Sequence, residues 1–286
     1  MTFSPRFVAE VSSNHNGDLQ RALKFVEVSA SCGFSAVKFQ LFEVDKLFSP
    51  EALSAFPKLS QRQKWQLPRE FIPALAERAH LMGLQFSCTP FDLESADFLA
   101  PYVDFYKIAS YELLWHDLIE VCSNKGVPLV LSSGMANLEE IDSAVNLVRN
   151  KYPDTELTLL HAVSSYPAPV QECNLAAISS LKDRFRINVG WSDHTVSPSV
   201  ILNSVLRHQA SMIEMHIDLD GTGFEFESQH CWLPDSAKSV IESVRIALSA
   251  DGNGLKAPTP AEIPDRNWRA DPKDGLRPLM EIRLEL

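Results

Sequence analysis

The sequence lacks the marks of several protein classes. Its five cysteines (Cys32, Cys88, Cys122, Cys173 and Cys231) are scattered, odd in number and never spaced C-x-x-C. That argues against a disulfide framework or a zinc ribbon and fits a reducing compartment. No apolar run approaches about 18 residues, and no signal-peptide core follows the polar N-terminus. The expectation is therefore a soluble cytoplasmic protein with no membrane partner. Positive charge is scarce: 26 Lys+Arg against 37 Asp+Glu leave a net charge of −11 over 286 residues. A nucleic-acid binder needs a basic face to displace counterions from phosphates, so nucleic acid is not an expected partner. A small basic pocket for an anionic metabolite remains open.

What is present is an ordinary globular balance, 45% hydrophobic and 22% charged, arranged as an alternation. Short apolar, β-branched runs at 7–13, 36–42, 85–90, 105–110, 129–134, 157–163, 188–193 and 212–217 read as strands. Most are continuous rather than alternating, which suits strands covered on both faces of a parallel sheet. Amphipathic stretches at 18–32, 69–81, 93–99, 114–124, 138–150, 174–183, 197–207 and 236–248 read as helices. Gly33 is placed as a C-terminal stop. Asn137, and Ser197 with Pro198, are placed as N-caps. Eight strand–helix units with short connections predict an α/β fold, a (β/α)8 TIM barrel over residues 1–250. A doubly wound sheet shares the local pattern, but no G-x-G-x-x-G follows the first strand. Residues 43–67 read as a loop over one barrel mouth. Residues 251–286, rich in Pro and charge, are too few for a second core. They read as a tail packing on the barrel or on a partner subunit; the alternative is a flexible tail, against which Trp268 and a buried-looking Leu276 argue.

In such a barrel catalytic groups come from the C-terminal ends of the strands. There stand Glu10, Lys38, Gln40, Thr89, Lys107, Ser110, Ser132, His161, Tyr166, Ser192, His194, Glu214 and His216. One ionisable group in an apolar strand is commonly a paired core residue, and one strand-end serine commonly bonds backbone. Two lysines, two glutamates and two histidines at similar depth are different, since burying them without function costs several kcal/mol. Lys38 and Lys107, with the hydroxyls of Thr89, Ser110, Ser132 and Ser192, make an anion site. His194 and His216, on adjacent strands, suit one divalent metal with open positions. The alternative is two core histidines bonded to carbonyls. Glu10 suits proton transfer. Asn16 and Asp18 are equally explained by turn and capping chemistry.

These residues resemble the N-acetylneuraminate (sialic acid) synthase family. The resemblance rests on Asn14-His15-Asn16-Gly17, Val37-Lys38-Phe39-Gln40, Thr89-Pro90-Phe91-Asp92, Lys107-Ile108-Ala109-Ser110, Ser133-Gly134-Met135, Tyr166-Pro167, Ser192-Asp193-His194 and Glu214-Met215-His216, in that order along the chain. It implies a TIM-barrel transferase that condenses phosphoenolpyruvate with an open-chain amino-sugar aldehyde, releasing phosphate. By the same resemblance Lys38, Thr89, Lys107, Ser110, Ser132 and Ser192 hold phosphoenolpyruvate. His194 and His216 bind Mn²⁺, with Mg²⁺ or Co²⁺ as alternatives. Gln40, Tyr166 and Glu214 face the sugar, and Glu10 handles water or a proton. A homodimer is implied as well.

The sequence departs from the family on the acceptor side. Relatives carry a C-terminal antifreeze-like domain whose arginine reaches the partner's sugar site, and this sequence reads as a variant without it. Arg269 or Arg277 is the candidate replacement, with Arg277 preferred. After the last strand, Glu225 or Glu227 stands in for the family's acidic residue, and Glu227 is carried forward as the sugar ligand. His230 and Cys231 read as a capping histidine and a buried cysteine rather than metal ligands. Ser164 replaces an asparagine. The expected product is a sialic-acid-like nonulosonic acid. The alternatives are a legionaminic, pseudaminic, capsule or spore-coat sugar acid, or an inactive sugar-phosphate-binding barrel. If Arg277 contacts the sugar, Arg277→Ala raises the sugar KM by about tenfold or more, as expected for a lost charge-assisted hydrogen bond. Unchanged steady-state constants would remove Arg277 from the site.

Overall fold

The computed structural model describes residues 3–286. Among them are the strands β1 (Arg6–Glu10), β2 (Ala36–Leu41), β3 (Gln85–Pro90), β4 (Tyr106–Ile108), β5 (Leu129–Ser132), β6 (Leu157–Ala162), β7 (Asn188–Asp193) and β8 (Met212–His216). Each coincides with a run expected to be a strand. The order is β3-β2-β1-β8-β7-β6-β5-β4, with every registered pair parallel. The two ends of that order also meet. Asp104 N donates to Phe86 O at 2.9 Å, and Ser87 Oγ to Phe105 O at 2.8 Å. The sheet is thus a nearly closed (β/α)8 barrel.

The α-helices among the described residues are α1 (Leu19–Cys32), α2 (Val44–Leu47), α3 (Pro50–Ala55), α4 (Ile72–Leu81), α5 (Leu93–Leu99), α6 (His116–Ser123), α7 (Leu138–Lys151), α8 (Ala176–Phe185), α9 (Pro198–Leu206), α10 (Pro234–Ala250) and α11 (Met280–Arg283). Local chemistry sets their ends. Asp18 Oδ1 accepts from Arg21 N at 2.8 Å, and Gly33 closes α1 at φ 88°, a left-handed conformation that glycine adopts without a Cβ penalty. Asn137 and Glu140 form a reciprocal capping box at α7. Ser197 does precede α9, but its side chain makes no capping bond; its N–H instead donates to Thr195 Oγ1 at 3.1 Å. The stretch 43–67 is not a plain loop. It forms α2, α3 and a 3-10 run, Pro57–Trp65. The Trp65 ring stacks on Phe224, beyond β8, at 6.5 Å and 22°.

Side chains alternate across a strand, and here the alternation builds two cores. Outward residues such as Phe7, Val37, Phe86, Ile108, Leu131, Leu159 and Ile213 join the large cluster under the helices. Inward residues Val8, Ala36, Phe105, Val130, Leu160 and Met212 form a separate apolar floor inside the ring. No helix among the described residues is long and apolar enough to cross a membrane.

The chain divides into two compact units, Met1–Leu248 and Ser249–Leu286. The second is held by local bonds. Asp271 accepts from Lys273 N and Met280 N at 2.9 and 2.7 Å, and Arg283 pairs with both oxygens of Asp274 at 2.7 and 2.8 Å. Leu276, which looked buried, is 60% exposed, and Trp268 is 57% exposed. So short a segment has too little apolar volume to enclose them.

Asp193 ties the top of β7 to the chain beyond β8. Its two oxygens accept from the indoles of Trp191 and Trp232, each at 3.0 Å. Asp193→Ala strands two buried donors and is expected to destabilise the barrel by about 2–4 kcal/mol. Urea unfolding checks this, and a loss below about 0.5 kcal/mol would deny Asp193 that role.

Candidate active site

Two residues above the apolar floor the same inward row becomes charged. Glu10, Lys38, Lys107 and Glu214 enter from β1, β2, β4 and β8, none more than 4% exposed. Glu214 spans the two lysines. Its Oε1 lies 3.2 Å from Lys107 Nζ and its Oε2 lies 3.6 Å from Lys38 Nζ. Ser192 Oγ donates to Glu214 Oε1 at 2.8 Å. Lys38 also pairs with Glu10 and donates to Thr89 Oγ1 at 3.3 Å. Glu10 Oε1 in turn accepts from Gln40 Nε2 at 3.1 Å and Ser12 N at 2.8 Å. Burial pulls the Lys38 ammonium down to about 8, with Glu214 resisting and Lys107 adding to the fall. Burial also works against the Glu214 charge, but Lys107 and Lys38 hold its carboxyl well below the usual carboxylate range.

A second group stands beside β7 and β8. The rings of His194 and His216 are 5.3 Å apart, and that of His230 is 4.6 Å from His216. Tyr166 covers them, its ring 4.3 Å from His194 and 4.9 Å from His230. Glu225 Oε1 accepts from Ser12 Oγ at 2.6 Å. Its Oε2 lies 3.5 Å from His216 Nδ1 and 3.7 Å from His230 Nε2. Burial pushes His216 down to about 3 although Glu225 opposes it, and burial lowers His194 too. Both imidazoles are therefore neutral near pH 7, with a lone pair to give. His194 Nδ1 is engaged with Val163 O at 2.7 Å. By contrast His216 Nδ1, Glu225 Oε2 and His230 Nδ1 are buried without a hydrogen-bond partner. Neutral imidazoles and a carboxylate are donors that divalent transition metals take, so this site fits such an ion.

The loop after β1 positions the second group. Asn14 Nδ2 donates to Ile217 O at 2.8 Å, and its Oδ1 accepts from Glu225 N at 2.8 Å. Asn16 Oδ1 accepts from Phe224 N at 3.0 Å. Arg21 grips Asp218 at 2.8 Å and Asp220 at 3.0 Å. A Cβ on Gly223 would lie 2.4 Å from Asn14 Oδ1, so only glycine fits this close approach. The Asn-His-Asn-Gly run is thus a clasp on the β8 loop.

Of the residues expected at the site, Glu10, Lys38, Gln40, Thr89, Lys107, Ser192 and Glu214 are joined in one network. Glu214, expected toward the sugar, lies between the lysines. Ser110 Oγ accepts from Gly134 N at 3.0 Å, and Ser132 is buried at the end of β5. His194, His216 and Tyr166 belong to the second group. Glu227 does not face it: the 3-10 turn Phe226–Ser228 leaves it exposed. Glu225 stands there instead, because Asn14 holds its backbone N–H. His230 is no capping residue, having an unpartnered Nδ1 among the other rings. Cys231 is buried, as expected, against Asn14 Nδ2 at 3.4 Å. His161 points outward to Cys173 O at 2.8 Å. Arg277 is an exposed residue of the second unit.

Sequence reasoning missed Glu112, on the turn Ser110–Glu112 after β4. Burial lifts its carboxyl to about 7 against the pull of Lys107, and its Oε2 has no partner. An acid two residues beyond a strand-end serine was the available signal.

Comparison with known proteins converges on one group. The pattern described as the NeuB family matches residues 25–256. An N,N'-diacetyllegionaminic acid synthase of Legionella pneumophila is 33% identical, over 91% of this chain and 76% of its own. Another, from Campylobacter jejuni, is 35% identical over 89% and 80%. The crystal structure of N-acetylneuraminic acid (sialic acid) synthetase from Leptospira borgpetersenii, in complex with citrate, superposes with a TM-score of 0.81 at 28% identity. It covers 92% of this chain and 90% of that one.

The raised Glu112 carboxyl has a consequence for stability. Folding favours its protonated form, so the stability it contributes falls as pH rises from the ordinary value of 4.5 towards about 7. Glu112→Gln, neutral throughout, is expected to stabilise the protein by about 3 kcal/mol at about pH 8 and by close to nothing at about pH 4. Urea unfolding at both pH values reads this, and equal effects would contradict a raised carboxyl.

Proposed function

The chain belongs to the NeuB family, and we propose from this that it condenses phosphoenolpyruvate with an N-acyl amino-sugar aldehyde, giving a nonulosonic acid and phosphate. One observation carries the proposal: two lysines, almost wholly buried, converge on one carboxylate inside the barrel mouth. Their ammonium groups, held here by Glu214 and Glu10, are the charged donors that a small anion would take. The hydroxyls of Thr89, Ser110, Ser132 and Ser192 give that anion neutral donors.

In the proposed reaction the enol carbon of phosphoenolpyruvate attacks the aldehyde carbon and a C–C bond forms. Water adds at C2, the C2–O bond to phosphorus breaks, and phosphate leaves. Lys38 and Lys107 hold the donor and neutralise its charge as the two reactants are brought to bonding distance. Glu10, fixed by Lys38, Gln40 and Ser12, takes the proton of the attacking water. Gln40 and Tyr166 face the sugar. Glu214 keeps the lysines aimed while Ser192 fixes its own carboxyl. A divalent ion at His216, with His194 beside it and Mn²⁺ as first choice, would polarise the aldehyde oxygen. The relatives at 33% and 35% identity are named for a diacetylated sugar acid, so the acceptor panel includes mono- and di-N-acetylated hexosamines.

Lys107→Met is expected to lower kcat/KM for phosphate release at least about a hundredfold, the loss for removing an electrostatic group from an active site, with the fold kept. Release of phosphate only when both phosphoenolpyruvate and an N-acyl hexosamine are present supports the reading. No release with any aldehyde of the panel, with Mn²⁺ supplied, would refute it.

A further inference from the structure

We propose that His15 is a substrate-binding residue on the acceptor side of the mouth, where its Nε2–H donates to an uncharged oxygen, a hydroxyl or N-acyl carbonyl of the amino sugar. The clasp on the β8 loop uses its two neighbours. Asn14 and Asn16 hold Ile217 O, Thr222 O and the N–H groups of Phe224 and Glu225. His15 lies between them and is 0% exposed. Its Nδ1 accepts from Gly17 N at 2.9 Å. Asn16 and Gly17, left-handed at φ 55° and 70°, turn the chain back to make that bond.

The bond fixes the tautomer. A backbone N–H can only donate, so Nδ1 gives the lone pair and the proton of the neutral ring sits on Nε2. That Nε2 is buried without a hydrogen-bond partner. The ring is neutral near pH 7, since burial pulls it down to about 4, with Glu225 opposing and Arg21 adding to the fall. A buried donor without an acceptor is costly, and a ligand oxygen satisfies it. The surroundings select which oxygen. Residues on either side of His15 and of Ser13 touch Glu225: Ser12 Oγ donates to its Oε1 at 2.6 Å, and Asn14 Oδ1 accepts from its N–H at 2.8 Å. A carboxylate so placed repels an anionic group, whereas Lys38 and Lys107 offer charged donors to phosphoenolpyruvate. A neutral N–H beside Glu225 therefore suits a hydroxyl or amide oxygen. That this oxygen belongs to an amino sugar rests on the function proposed above, whereas the tautomer and the unpartnered donor stand on geometry alone.

Two variants separate the donor from the turn. His15→Asn keeps an acceptor for Gly17 N–H, as in an Asx turn, and removes the Nε2 donor. His15→Gln restores an amide donor near the Nε2 position. In assays of phosphate release, His15→Asn is expected to raise the sugar KM at least about tenfold and to leave the phosphoenolpyruvate KM within about twofold. His15→Gln recovers most of that loss. Circular dichroism checks folding, and if His15→Asn is not folded, His15→Ser, which makes the same kind of turn, takes its place. NMR of ¹⁵N-histidine-labelled protein reads the ring directly, with the His15 signal assigned by its absence from the variant. Nε2 is expected to carry the proton, and N-acetylmannosamine without phosphoenolpyruvate to move its resonance. A wild-type sugar KM in His15→Asn, an equal rise in both KM values, or a resonance unmoved by the sugar would overturn the proposal. The two readings fail separately. A resonance moved by the sugar without phosphate release sinks the condensation and leaves His15 as a sugar ligand. Phosphate release with a wild-type sugar KM in His15→Asn leaves the condensation and removes His15.

Discussion

The buried bridge from Lys38 through Glu214 to Lys107 is the constraint on which the rest of the barrel mouth depends. Two ammonium groups with almost no solvent would repel each other. Glu214 between them, with Glu10 on Lys38, keeps charge inside a ring whose floor is apolar. The carboxylates are held in their turn, Glu214 by Ser192 and Glu10 by Gln40 and the backbone of Ser12. Removing one partner would leave an unpaired buried charge, the costly case for an ion pair. The network is therefore a poor means of stabilising a fold.

A second dependence runs from β1 to β8. These strands are neighbours in the ring, with Glu10 level with His216. The loop after β1 closes over the loop after β8 through Asn14, Asn16 and Arg21. Ser12 links the two halves of the mouth: its N–H bonds Glu10 and its hydroxyl bonds Glu225, with φ at 49°. Such left-handed residues tend to gather where surrounding structure fixes a functional geometry. The lysine network and the histidine group are thereby one assembly.

Much of this was legible in the residues. The eight strands stood out because apolar runs of about six residues, separated by amphipathic stretches, satisfy few other folds. Lys38, Lys107, His194 and His216 stood out because a charged side chain in such a run has to be accommodated. Inward and outward positions were legible too, had the alternation been followed: Val8 to Glu10, Ala36 to Lys38 and Phe105 to Lys107 are steps of two along one face. That step also separates His161, which faces the helices, from the site. Glu225 against Glu227 was harder, because no periodicity governs an irregular loop. The choice was made by Asn14, 211 residues away in sequence from the N–H it accepts. Glu112 was missed since its raised proton affinity comes from burial, which a sequence does not display.

By itself the sequence determined the barrel, its strand and helix bounds to within a few residues, and the donor-side residue types, because local periodicity and desolvation act over short stretches. Only the tertiary structure decided that Glu214 spans the lysines, that Glu225 and His230 join His216, and that Trp268 and Leu276 stay exposed. Those outcomes depend on distances between strands and loops far apart in the chain. They are set by closure of the ring and by the clasp between its first and last loops, neither of which any short stretch of sequence encodes.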